Sequence, residues 1–199
     1  MKKVIIWIIV TVLIFGTSMG IGLRIYSINI SDFKMESQEF VQGDWVELGG
    51  SFQTSASEKT EGYSVRLISA QLLPTKEFVE RYGETMDYLP ETRRPEFMID
   101  IEVEFRNTNN TDGHIAMASY YMQTETDGYI PQIDLWNLAN PSCQGNMGFM
   151  LLPNSQMTFH IPYLPRGEDN GTVFLKYDSF KLVVAQCPIK KTIPFSLEI

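Results

Sequence analysis

The chain begins with a long apolar segment. Lys2 and Lys3 are followed by residues 4–23, which carry no charged side chain, and the next charge is Arg24. Twenty residues that rise about 1.5 Å each form a helix of roughly 30 Å, the thickness of the hydrocarbon core of a bilayer. More positive charge precedes the segment than follows it, so we expect a cytoplasmic N-terminus and an extracellular C-terminal part. The sequence therefore predicts a single-pass protein of the cell membrane, in contact with the bilayer through residues 4–23.

A cleaved signal peptide is the alternative interpretation of residues 1–23. Their most apolar part, residues 4–15, has the length of a signal h-region, and residues 18–20 include small side chains suited to cleavage. Apolar residues resume at Ile21 and Leu23, and no Ala-x-Ala site is present, which favours an uncleaved anchor. Both interpretations place the rest of the chain outside the cytoplasm, and cleavage would make it a secreted protein.

The remainder of the chain has the composition of a folded, acidic domain. Hydrophobic residues make up 44% of the sequence and charged residues 20%, which suits a globular core. The 16 basic residues include Lys2, Lys3 and Arg24, so 13 basic and 24 acidic residues remain beyond the targeting region. Such a surface repels nucleic acid and anionic lipid headgroups. Nucleic-acid binding is excluded, whereas cations, basic peptides and neutral partners stay open.

The pattern of the remaining residues predicts one β domain behind a polar linker. Residues 24–43 are polar and weakly patterned, so we expect a stalk there and a single domain over residues 44–199. Residues 97–106 alternate strictly, which predicts a strand with one face in the core and the other in water. About eight short strands at roughly ten-residue spacing, with one short helix, favour an all-β fold with minor α content. The predicted architecture is an immunoglobulin-like antiparallel β-sandwich.

Two local signals refine this prediction. The alternation of residues 63–72 changes face near Ile68, which indicates a β-bulge. Thr75 can cap a helix of about two turns after Pro74, and Gly83 is placed to end it. Such a short helix is unstable alone, so we expect it to pack on the sheet.

Three short motifs carry a resemblance to a known class of domain. They are Phe-Arg-Asn-Thr at residues 105–108, Leu-Pro-Asn-Ser at 152–155 and Phe-His-Ile-Pro at 159–162. In these motifs the chain resembles the telokin-like, immunoglobulin-type domains of bacterial exported proteins. Residues 61–65 and the helix at 78–83 resemble, more narrowly, uncharacterised membrane-anchored domains of Gram-positive-type bacteria. The resemblance implies a fold and an envelope location but no activity.

The chain departs from that pattern at two places. Asn154 stands where the turn glycine of such domains lies, a substitution that asparagine tolerates. Residues 131–147 form a long insertion, which we interpret as an irregular loop that carries Trp136 and one helical turn at most.

The two cysteines, Cys143 and Cys187, are the natural partners for a disulfide in an oxidising exterior. Their pairing would close a loop of about 43 residues and stabilise the fold by roughly 4 kcal/mol in the chain-entropy model. The alternative is two buried free thiols. Neither cysteine has a neighbouring histidine or a Cys-x-x-Cys spacing, so the sequence predicts neither thiol catalysis nor zinc binding.

Carboxylates on the predicted wet face of the 97–106 strand are weak candidates for a metal site. Asp100, Glu102 and Glu104 repeat about every 6.8 Å along one face. An ordinary solvated face is the favoured interpretation, because a calcium site needs ligands that converge from a loop. We therefore predict neither a metal ion nor another cofactor.

Catalytic motifs give no support for an enzyme. The chain has only two histidines, His114 and His160, and it lacks the nucleophile, zinc-protease and phosphate-loop motifs. A carboxylate-dependent envelope hydrolase that acts on sugar or peptidoglycan is the alternative, although no pair of acids is singled out.

Aromatic residues in predicted loops and turns are the better candidates for a binding surface. Such side chains anchor partners through a large apolar area with a polar tip. We select Trp136, Tyr129 and Tyr121, with the 131–147 loop as the binding element. Tyr82, Tyr88, Tyr120 and Tyr163 belong to the same set. The preferred function is a non-enzymatic interaction module for an envelope protein or peptide whose identity the sequence does not give.

Overall fold

The computed structural model describes residues 16–21, 24, 36–143, 145, 147–165, 170–177 and 179–198. Residues 16–21 and 24 are helical. Most of the predicted anchor lies outside the described residues, and none of the described helices is both long and apolar enough to span a bilayer. The chain separates into two compact units, Met1–Lys34 and Met35–Ile199.

The second unit contains eleven strands and two α-helices among its described residues. A five-stranded sheet, sheet A, has the order β1-β11-β10-β6-β7, and a four-stranded sheet, sheet B, has the order β2-β3-β4-β9. The strands β5 and β8 form a separate pair. The elements are β1 (Ser37–Glu39), β2 (Val46–Glu47), β3 (Tyr63–Pro74), α1 (Thr75–Arg81), β4 (Phe97–Asn107), β5 (Ile115–Ala116), β6 (Tyr121–Gln123), β7 (Gly128–Tyr129), α2 (Ile133–Ala139), β8 (Gly148–Phe149), β9 (Ser155–Tyr163), β10 (Phe180–Ala185) and β11 (Lys190–Phe195).

The main core lies between the two sheets. On sheet B, alternate residues of β4 from Ile99 to Phe105 are fully buried, as the period-two pattern predicts. Sheet A contributes Leu182 and Val184 of β10 and Ile193 of β11 to the same cluster. The predicted all-β sandwich with minor helical content is confirmed.

The predicted bulge in β3 and the short helix after it are confirmed. The predicted cap is wrong, because Thr75 is the first helical residue and no side chain caps the helix at Pro74. The pairing of β3 with β4 shifts between Leu67 and Ser69, so Ile68 is the extra residue of a bulge and its side chain is exposed. Helix α1 follows β3 directly and is succeeded by Gly83, whose φ of 83° requires the left-handed region. The helix packs on the outer face of sheet B through Phe78 and Val79.

The sandwich begins earlier than predicted. Ser37–Glu39, assigned from the sequence to the stalk of residues 24–43, forms β1 and pairs in parallel with β11. The backbone N–H of Phe40 continues this pairing by donating to Thr192. A polar strand of three residues has too few side chains to show an alternating pattern, which is why the sequence did not reveal it.

The segment 131–147 is more regular than predicted. It contains helix α2, whose start is capped by the side chain of Gln132, which accepts from the N–H groups of Asp134 and Leu135. Asn140, just after the helix, donates to the carbonyl of His160 and accepts from its N–H. The helix therefore covers the free edge of β9, which would otherwise expose unpaired backbone groups.

Candidate functional site

The outer face of β4 is buried and paired rather than wet, which corrects the prediction of a solvated face. Asp100 and Glu104 are among the buried residues, and α1 covers one end of the face. Glu104 accepts from Arg66 Nε at 2.7 Å, and Glu102 accepts from Ser69 Oγ at 3.2 Å. Each carboxylate thus has its own neighbour on an adjacent strand. Among the described residues no group of three or more His, Cys, Asp or Glu side chains is arranged to hold a metal ion.

Asp100 makes contacts that the sequence did not indicate. His160 lies opposite Glu102 in the pairing of β4 with β9, which places it diagonally next to Asp100. Its Nδ1 lies 2.9 Å from Asp100 Oδ2, and Arg81 Nη1 of α1 lies 3.8 Å from the same oxygen. The other oxygen, Oδ1, is buried without a partner among the described residues. A charge cluster therefore joins β4, β9 and α1.

The pKa values in this cluster follow from its geometry. The pKa of His160 is raised from 6.5, mainly by the hydrogen bond to Asp100 and against the effect of burial. Burial, reinforced by the negative charge of Asp100, raises the pKa of Tyr82 to about 12.

The three carboxylates of β4 follow one another along a single strand and do not face each other across a cleft, so this face does not supply the pair that a glycosidase needs.

The predicted aromatic anchors are mostly core residues. Trp136 is fully buried and stacks on Phe159 with ring centroids 5.6 Å apart. Tyr129 is 4% exposed and packs edge-on against Phe174, while Tyr121 is half-buried. The prediction that the 131–147 segment displays Trp136 to a partner is wrong, because the amphipathic helix α2 turns this side chain into the sandwich.

A cleft of about 840 Å³ is lined in part by Tyr129. One wall is residues 91–95, and the opposite wall is residues 129–133, the turn that enters α2. Ile130 is 71% exposed and Ile133 is 46% exposed, an unusual pair of branched apolar side chains at the surface. Further lining comes from Ala118, Met147, Leu164, Pro165 and Asn170.

The charged groups of the cleft are differently constrained. Arg94 is held by Asp87 at 3.1 Å and by the carbonyl of Leu89 at 2.7 Å. Arg93 makes no ion pair with any described residue and is exposed. The lining of the cleft therefore combines apolar side chains with one basic group that has no ion-pair partner among the described residues.

Sequence reasoning selected one side of this cleft and missed the other. Tyr129 and the start of the 131–147 segment do line it, but through Ile130 and Ile133 rather than Trp136. Two isoleucines on either side of Pro131, a residue that breaks regular structure, were the available signal for exposed apolar positions. No local pattern indicates that residues 91–95 lie opposite them.

The predicted disulfide is absent. Cys143 and Cys187 are both free and half-buried. Cys143 ends the turn after α2, where its N–H donates to Asn140, whereas Cys187 pairs through its backbone with Phe52. Each cysteine is held by a different element, so these thiols provide no cross-link.

Comparison with known proteins identifies one family. The model of a family described as a domain of unknown function, DUF5028, matches residues 37–191. The matched range starts at the first residue of β1 and ends within β11, so it contains all of sheet B, sheet A except most of β11, and the residues of the cleft. No curated protein and no solved structure matches the chain.

Proposed function

The chain belongs to the DUF5028 family, and we propose that its β-sandwich is a non-enzymatic interaction module that binds a protein or peptide at the cell envelope. The observation that carries this proposal is the cleft between residues 91–95 and 129–133. Its volume of about 840 Å³ falls within the usual range of ligand sites, roughly 300 to 1,000 Å³. Exposed apolar side chains rimmed by polar groups are typical of interaction surfaces.

The lining of the cleft suits a peptide. Pro95, Pro131 and Pro165 contribute to it, and proline restricts the backbone on which it stands. A surface with restricted backbone loses little conformational entropy when a partner binds. Ile130 and Ile133 offer apolar contact, which supports binding by burial of a partner's apolar side chains.

The proposed location is the outer side of the cytoplasmic membrane. The apolar residues 4–23 and the preceding Lys2 and Lys3 support an anchor with the sandwich outside the cell. The finer assignment of the sandwich to the telokin-like, immunoglobulin type is supported at Asn154. Its φ of 60° is the left-handed conformation that a turn glycine adopts at this position.

Site-specific photocrosslinking tests the proposed function. A photoreactive benzoyl-phenylalanine replaces Ile130 in the full chain, which is irradiated in its native membranes. We expect one reproducible adduct. The additional substitution Ile133→Asp should abolish it, because it places a carboxylate among the apolar side chains that line the cleft. Val41, which is 70% exposed on the β1 side, supplies the control position for both the probe and the Asp substitution. No adduct at residue 130, or the same adduct at residue 41, would refute binding in the cleft.

A further inference from the structure

A second pocket, of about 510 Å³, has a lining that shares no residue with the cleft. One wall contains Tyr82, Glu84 and Tyr88, which precede residues 91–95 in the chain. The other wall is the later part of α2 and the turn after it, with Asn137, Leu138, Ala139 and Pro141. The hydroxyl of Tyr88 donates to the carbonyl of Asp134 at 3.1 Å and joins the two walls. Asp134 directly follows Ile133 of the cleft, so this bond places the pocket next to the cleft.

Two tyrosines and an unpaired carboxylate give this second pocket a distinct chemistry. Glu84 is exposed and forms no ion pair with a described residue. It lies close enough to Tyr88 that its charge, after burial and the charge of Asp134, helps to raise the pKa of that phenol. Both tyrosines are neutral at pH 7, and they line the pocket together with the carboxylate of Glu84. A cation is attracted to such rings and to the carboxylate at once.

The overall charge favours the same type of ligand. Acidic residues outnumber basic ones by 24 to 16 in the whole chain. A guanidinium group fits better than an ammonium group, because its plane stacks on an aromatic ring while its N–H groups pair with a carboxylate.

We propose that the pocket of Tyr82, Glu84 and Tyr88 binds an arginine side chain of the partner peptide. The arginine site depends on the side chains of this pocket alone. That the same peptide also places apolar residues in the neighbouring cleft rests on the proposed function.

The test compares two probes of almost the same shape. Nα-acetyl-arginine amide and Nα-acetyl-citrulline amide differ in the charge of the terminal group. Each is titrated into the full chain in detergent micelles while the ring signals of the tyrosines are followed by NMR. We expect saturable shifts of Tyr82 and Tyr88 with the arginine probe and none with the citrulline probe. Equal shifts with both probes, or no saturable shift with arginine, would overturn the proposal.

Matched variants separate the carboxylate from general charge effects. Glu84→Gln should weaken binding of the arginine probe by about two- to fivefold, the size expected for an exposed cation site. Glu125→Gln removes an exposed acid that lines neither the pocket nor the cleft and should leave the affinity unchanged. Tyr88→Leu removes the ring and the hydrogen bond to Asp134 together, whereas Tyr88→Phe removes only that bond, so the difference between the two variants measures the aromatic contribution. Equal weakening by Glu84→Gln and Glu125→Gln would refute a specific site.

The outcomes distinguish this inference from the proposed function. If crosslinking at residue 130 succeeds but the arginine probe does not bind, the peptide-binding cleft stands and the arginine site fails. If the arginine probe binds at Tyr82 and Tyr88 but residue 130 captures nothing, the arginine site stands and the proposed function of the cleft fails.

Discussion

His160 Nδ1 lies 2.9 Å from Oδ2 of Asp100, whose side chain is only 4% exposed. This contact joins neighbouring strands of sheet B and meets helix α1, because Arg81 approaches the same carboxylate and the ring of Tyr82 lies 6.2 Å from the imidazole. Tyr82 and Glu84, which line the pocket that we assign to arginine, directly follow α1. The cluster therefore holds the end of the helix from which this wall extends.

The Asp100–His160 contact predicts a specific pH dependence of stability. The folded pKa of His160 is raised above its ordinary value of 6.5 by Asp100, with Glu102 adding to the shift and burial and Arg81 opposing it. A group whose pKa is raised on folding stabilises fully below its unfolded pKa, and this contribution is lost as pH rises through the folded pKa. We expect His160→Gln to lower the free energy of unfolding more at pH 5.5 than at pH 9, as measured by urea denaturation. An equal loss at both pH values would contradict the assigned role.

Asn140, which directly follows α2, should contribute more to stability than Asn137 within the helix. It is 5% exposed, and its side chain pairs with both backbone groups of His160 on the edge strand β9. Asn140→Ala leaves these groups without partners, which should cost about 1 to 3 kcal/mol in urea denaturation. Asn137→Ala removes an exposed contact to the N–H of Gly145, which water can replace, so a much smaller loss is expected. Equal losses for the two variants would show that α2 does not protect the edge.

Truncation of Trp136 should destabilise the domain far more than truncation of Ile133, although the two residues lie about one turn apart on α2. Trp136 is fully buried against Phe159, so Trp136→Ala should destabilise the domain by about 3 to 5 kcal/mol. Ile133 is 46% exposed, and Ile133→Ala should change stability by less than about 0.5 kcal/mol. Trp136→Phe should be better tolerated, because it keeps a ring and removes an indole N–H that has no partner among the described residues. If Trp136→Ala hardly changed the temperature of thermal unfolding, the burial of Trp136 would be contradicted.

The sequence predicted elements whose pattern is local and missed contacts that depend on distant residues. The alternation of β4 and the bulge at Ile68 follow from burial on a pleated strand, which a short stretch of sequence displays. The burial of Asp100 depends on α1 and on His160, 60 residues away, so the same acidic pattern was interpreted as a solvated face. The candidate site was predicted only in part for the same reason. Its second wall, residues 91–95, is brought opposite Ile133 by the tertiary fold.

The free state of both cysteines gives the last prediction. Cys187 exchanges two backbone hydrogen bonds with Phe52, and Cys143 is packed against the main core after α2. A disulfide requires close approach and a specific orientation of both Cβ atoms, so a bridge would require one of these contacts to be rebuilt. We expect N-ethylmaleimide, added to unfolded and unreduced protein, to add two labels to the full chain and one label to Cys143→Ser, as measured by intact mass. Half-burial should slow the same reaction in the folded protein. Labelling that appears only after reduction would contradict free thiols and would require the turn after α2 to move toward Phe52.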